Sequence, residues 1–190
     1  MSNPLRRLCH AYLRLRHSYG HGVHSPFAFS LIENVIRPGD YHFYGYHDID
    51  RTYYRSSPST ESQRSLARFL LRLMVFLGSK TLYHSGELPE VVATSVKCAG
   101  AVTSSTGTSV IPQHLGFPLL LMQGDEVDPM ALRNYLGGGS AVLAIMPGKE
   151  IKNLLTQEME CGVAFYDNRA VLAVPRQETA FVSYECQLRF

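Results

Sequence analysis

At 190 residues the chain is long enough to bury a substantial core within one domain. Its hydrophobic content of 45%, charged content of 18% and net charge of +2 are those of an ordinary soluble globular protein, so nucleic acid is not expected as a partner. Cys9, Cys98, Cys161 and Cys186 stand far apart without a CxxC pair; they match no common zinc spacing and point to reduced thiols and a cytoplasmic location.

Residues 3–19, NPLRRLCHAYLRLRHSY, read as an amphipathic helix. Asn3 can cap it, Pro4 suits its first turn, and Leu5, Leu8, Tyr12 and Leu15 share one face. No acidic residue precedes Glu33, whereas Arg6, Arg7, Arg14 and Arg16 do, so this arm is locally basic. Its apolar stripe needs a cover, which its own domain or a partner can supply; self-association or an unidentified protein partner is the expectation favoured. Arg14, Arg16, His21 and His24 are the candidate partner or anion contacts. His10, His17, His21 and His24 follow no common ligand spacing, so no metal is expected, and His21 and His24 read as residues that tie down a turn.

Gly20, Gly22 and Pro26 end the arm, and a short helix, PFAFSLIENVI, follows with Ser25 as its cap. Residues 38–60 are rich in Tyr, His, Ser and Pro and are expected to be an irregular connection whose rings pack over the domain. A helix from about Ser59 to Leu77 comes next. Leu66, Phe69, Leu70 and Leu73 form its apolar face, and Arg64, Arg68 and Arg72 a face read as solvated. The stretch FLLRLMVFL (69–77) is interrupted by Arg72 and too short to span a bilayer.

From there strands and helices alternate. TLYH, AVTSS, PLLLMQ and AVLAIM read as strands; PEVVATSVKCA, DPMALRNYL and KEIKNLLTQEM read as helices; TGTSVIPQHLG reads as a loop. GVAFYD, AVLAVPR and TAFVSYECQLRF close the chain as strands with no helix between them. Such an order predicts a three-layer, Rossmann-like α/β domain over 59–190, with a mostly parallel sheet and antiparallel C-terminal strands. Residues 1–58 are expected as a helical and irregular N-terminal extension that makes one compact unit with it. GGGSAV (137–142) precedes a strand and lacks the Lys-Ser/Thr of a phosphate loop, so it reads as a turn. No G-x-S-x-G elbow is present, and no catalytic residue is assigned.

GHGVHSPFAFSLIENVIR (20–37) resembles the N-terminal signature of a bacterial methyltransferase-like family. AVLAVPRQETAFVSYECQLRF resembles that family's closing strands, and LLLMQGDEVDPMALRNYL resembles its strand, Asp-Gly, loop and helix segment. The resemblance implies a class I fold for S-adenosylmethionine-dependent methyl transfer. It also implies a glycine-rich turn after the first strand, where this chain has HSGELPE with Gly86 alone. An acidic ribose acceptor is implied at the end of the second strand, where Ser104 and Ser105 stand. The Asp of the Asp-Gly step falls on Gln123, and a later acidic pair falls on Met146 and Pro147. Asp125 and Glu126 lie just beyond Gln123 as a shifted substitute.

The expected function is therefore a catalytically silent methyltransferase-like domain serving as a binding or interaction module, with no cofactor. One alternative is an active methyltransferase that uses Glu87 or Asp125 in a divergent site for S-adenosylmethionine. Another is a small-molecule or nucleotide binder in the same crevice. The candidate crevice residues are His84, Ser85, Gly86, Glu87, Ser104, Gln123 and Asp125.

Overall fold

The computed structural model describes residues 26–37, 43–56, 59–105, 118–124, 128–137, 139–155, 161–166 and 170–175. The arm at 3–19, Ser25, the loop at 106–116 and the closing strand at 179–190 lie outside the described residues. The helices are α1 (Pro26–Leu31), α2 (Gly45–Arg55), α3 (Glu61–Leu77), α4 (Glu90–Cys98), α5 (Pro129–Gly137) and α6 (Lys149–Asn153). The strands are β1 (Thr81–His84), β2 (Val102–Ser105), β3 (Leu119–Gln123), β4 (Ala141–Ile145), β5 (Cys161–Tyr166) and β6 (Ala170–Pro175). Among the described residues no helix is long and apolar enough to cross a membrane.

The strands form one α/β sheet in the order β2-β1-β3-β4-β6-β5. β2, β1, β3 and β4 are mutually parallel, and β6 runs antiparallel to both β4 and β5. β5 thus points the same way as β4, leaving β6 the one reversed strand among the described residues. The C-terminal hairpin pairs as the sequence led us to expect, with Phe165 opposite Leu172 and Tyr166 opposite Val171. Its reversed member lies inside the sheet and β5 forms the edge.

β3 and β4 are apolar without alternation because helices cover both faces. Leu82, Leu119, Leu121, Leu143 and Leu172 face the layer built from α3 and α4. Tyr83, Leu120, Met122, Val142 and Val171 face Leu132 and Leu136 of α5 and Ile151 of α6. The period-two alternation of strand side chains sorts these residues into two cores. α3 is bounded sharply: Thr60 and Gln63 form a reciprocal capping box at its start, and Gly78 ends it at φ 65°.

Two features of the N-terminal layer correct the sequence reading. The segment taken as irregular contains α2, whose Ile49 is fully buried, with Phe43, Tyr46 and Tyr53 packed beside it. The recurrence of Phe43, Tyr46, Ile49 and Tyr53 is helical, but it is carried mostly by aromatic residues among Gly, His and Asp, which favour no helix alone. Tertiary contact supplies the stability. A Cβ on Gly45 would lie 2.8 Å from both Cys98 Cβ and Leu71 Cδ2, so the bare backbone there lets α2 settle onto α3 and α4.

The second correction concerns the arginine face of α3, which is not solvated. Asp50 of α2 accepts a hydrogen bond from Arg64 Nε at 2.9 Å and one from Arg68 Nη2 at 2.5 Å. Arg72 donates to the Val35 carbonyl and to the Tyr46 hydroxyl, each at 2.6 Å. The guanidinium groups of Arg64 and Arg68 also lie over the rings of Tyr53 and Tyr46, at 5.2 and 5.1 Å from the centroids. Amphipathic spacing shows which face is polar but not what covers it. Here the cover is α2 and the π-helical turn at Ile32–Ile36 that follows α1.

Candidate functional site: a crevice at the switch point

β1 leads into α4 on one face of the sheet, whereas β3 leads into α5 on the other. The chain therefore leaves β1 and its neighbour β3 toward opposite sides, which opens a crevice beyond their carboxyl ends. A cavity of about 310 Å³ occupies this place. Its floor is made by His84 and Ser85 after β1, by Leu121, Met122 and Gln123 of β3, and by Ile145 of β4. Leu88, Pro89 and Val92 of the β1–α4 connection form one apolar wall. Thr60, Ser62, Gln63 and Leu66 bring the start of α3 over the opening, and Glu87 joins the rim.

The turn between β1 and α4 has a defined local geometry. Gly86 sits at φ 71°, in the left-handed region that favours glycine. His84 Nδ1 lies 3.0 Å from the Gly86 carbonyl. A carbonyl only accepts, so Nδ1 carries the proton, and in the neutral ring Nε2 is left as an acceptor. The Ser85 N–H donates to the Leu121 carbonyl at 3.3 Å, which ties this turn to β3. On the far side the Gly124 N–H donates to the Ile145 carbonyl at 2.9 Å, joining the ends of β3 and β4.

Helix N-termini at such a crevice are ordinarily where phosphates or carboxylates dock. Here the start of α3 is capped by the chain's own groups. The Gln63 N–H donates to Thr60 Oγ1 at 3.2 Å, and the Thr60 N–H donates to Gln63 Oε1 at 2.9 Å. α4 follows Pro89 without a side-chain cap, and Glu90 places a carboxylate in its first turn. That carboxylate accepts a hydrogen bond from Ser56 at 2.5 Å. Among the described lining residues none is Lys or Arg, and Glu87 is the only acid.

Of the residues singled out by sequence, His84, Ser85, Glu87 and Gln123 come together around this cavity. Gly86 shapes the turn without lining it. Ser104 lies on β2 away from the lining, while its neighbour Ser105 pairs with His84 in the sheet register. Asp125 lies outside the described residues, as do Arg14, Arg16, His21 and His24. Sequence reasoning missed the contribution of α3. Its signal was the Thr60-x-x-Gln63 capping box ahead of an apolar run, which fixes where α3 begins and hence what stands over β1.

No protein-family model matches the chain, and no curated protein matches it.

Proposed function

We propose that this chain is a catalytically silent, degenerate methyltransferase-like domain that acts as a binding module through the switch-point crevice. The sheet order with a single reversed strand, the helical layer ahead of β1 and the GVHSPF segment support the methyltransferase-like reading. The observation that carries the loss of chemistry is the end of β2. Ser105 stands opposite His84 in the register, and Ser104 precedes it, where a carboxylate would be needed to accept hydrogen bonds from both ribose hydroxyls. With Gln123 in place of the acid after β3, both acids that the resemblance implies at the ends of β2 and β3 are missing. Each missing charge-assisted hydrogen bond weakens binding by about 1.5–3 kcal/mol, or roughly ten- to a hundredfold.

Glu87 favours one second reading, an active methyltransferase whose ribose acceptor has moved to the β1–α4 turn. Titration calorimetry with S-adenosylmethionine and with its demethylated product separates the two. The silent-domain reading expects no binding of either at physiological concentration. Micromolar affinity with the ligand seated over Gly86 would overturn it in favour of the active enzyme.

A further inference from the structure

The chemistry of the crevice identifies what class of molecule it accepts, given the reading that it is a retained binding site. We propose that it binds a small organic amine in its ammonium form, with a compact apolar body.

Three observations lead there. The first is the imbalance of the polar rim. Glu87 offers a carboxylate, and His84, whose Nδ1 proton is directed to the Gly86 carbonyl, has an acceptor nitrogen left in the neutral ring. No lysine or arginine is among the described lining residues to balance them. The second is that both helices that begin beside the cavity carry an acid in their first turn. These are Glu61 in α3, whose start is also capped by Thr60 and Gln63, and Glu90 in α4. An acidic ligand would meet Glu87 with no lysine or arginine among the described lining residues to compensate it. The third is the apolar wall formed by Leu66, Leu88, Val92, Leu121 and Ile145, which suits a hydrocarbon or aromatic body. At about 310 Å³ the cavity lies at the small end of ligand pockets. A compact body with one cationic head group meets all three conditions, and a phosphorylated or carboxylated ligand meets none of the electrostatic ones.

The test uses the full chain and three probes that share a phenyl body: phenethylamine, 2-phenylethanol and 3-phenylpropionate. In titration calorimetry the amine is expected to bind about tenfold more tightly than the acid, with the alcohol between them, because the exposed rim attracts one head group and repels the other. Glu87→Gln is expected to weaken the amine by about two- to fivefold and leave the alcohol unchanged. Ser62→Trp, an exposed position at the mouth, is expected to abolish binding of all three. Equal binding of amine and alcohol, or preference for the acid, would overturn the amine assignment while leaving the crevice a binding site. An unchanged amine affinity in Glu87→Gln would do the same. Binding that survives Ser62→Trp, or no binding of any probe at millimolar concentration, would overturn the assignment of the crevice itself. Micromolar S-adenosylmethionine binding would instead remove the silent-domain reading on which the inference rests.

Discussion

Asp50 is the residue through which α2 is electrostatically fastened to α3, and its removal should loosen the whole N-terminal layer. Its carboxylate accepts from Arg64 at 2.9 Å and from Arg68 at 2.5 Å, with 26% of the side chain exposed. Two charge-assisted hydrogen bonds of about 1.5–3 kcal/mol each set the upper scale. Two effects reduce it. The pair is only partly desolvated, and Arg64 retains Glu61 at 3.3 Å as a second partner. One effect works the other way: Arg68 Nε is buried with no partner among the described residues, so losing Asp50 leaves that guanidinium poorly compensated. Asp50→Ala is therefore expected to cost about 2–3 kcal/mol in urea unfolding, or a fall in Tm of roughly 4–12 °C for a chain of this size. The hydrogen bond from Arg64, more than that from Arg68, holds the Asp50 carboxyl below the ordinary carboxylate range, against the opposing effect of burial. A depressed folded-state pKa means the contribution is fully present above the unfolded value of about 3.9 and is lost as pH falls through the lower, folded value. Asp50→Asn should therefore flatten the acid limb of the stability profile below about pH 4, while its cost at pH 7 persists. A loss smaller than about 0.5 kcal/mol for Asp50→Ala at neutral pH would show that α2 is held by burial alone.

Other perturbations probe separate parts of the molecule. Gly45→Ala places a methyl group 2.8 Å from Cys98 Cβ and from the buried Leu71 side chain, and is expected to cost about 1–3 kcal/mol despite the better helix former; a neutral or raised midpoint in urea would mean that α2 does not sit this close to α4. Tyr83→Phe removes a buried hydroxyl that has no partner among the described residues, so thermal unfolding should show it at least as stable as the parent. A loss above about 1 kcal/mol would reveal a hydrogen bond to that oxygen. For the N-terminal arm, light scattering should find the full chain self-associated and a chain beginning at Gly20 monomeric. If both are monomers and the shorter one stays folded and soluble, the arm is no oligomerisation element.

Much of the sheet was legible because its signals are local and redundant. β3 and β4 are aliphatic runs bounded by Pro118, Gly124 and Gly139, so neither their length nor their type depends on distant partners. α3 combines an apolar face with a capping box and a terminal glycine, three independent markers of one helix. α2 has neither the capping box nor the terminal glycine, and its buried face is mostly aromatic. Its N-cap, Tyr44, makes no side-chain hydrogen bond to the helix, and its only aliphatic core residue is Ile49. Its stability comes from Arg64, Arg68 and Leu71, residues that lie beyond the connection and carry no mark of their destination. The crevice divides in the same way. His84, Ser85, Glu87 and Gln123 were found because they follow strand ends, and strand ends define the switch point in any α/β sheet of this kind. The Thr60 to Leu66 rim has a signal for where α3 begins, the Thr60-x-x-Gln63 capping box, but its distance from β1 is set by packing that no spacing in the sequence encodes.

The arginine face of α3 bears on where the structural unit begins. A boundary at residue 58 follows a change in composition, from tyrosine-rich and polar to amphipathic. The physical connections cross it. Ile49, Leu31 and Val35 belong to the same core as Leu70 and Leu73, and Arg64, Arg68 and Arg72 reach back to Asp50, Tyr46 and Val35. Those three arginines are consequently committed within the fold rather than held out as an anion-binding surface. The same commitment separates them from the crevice, whose described rim has no arginine even though α3 and its cap supply four of its residues. One helix thus presents two unlike chemistries. Its middle is a cationic face bound by an aspartate, two tyrosines and a helix-end carbonyl, and the residues its first turns contribute to the cavity lining, Ser62, Gln63 and Leu66, are uncharged. The cationic face holds α2 in place, and the uncharged lining from the start of α3 leaves Glu87 and His84 to set the electrostatic character of the described opening.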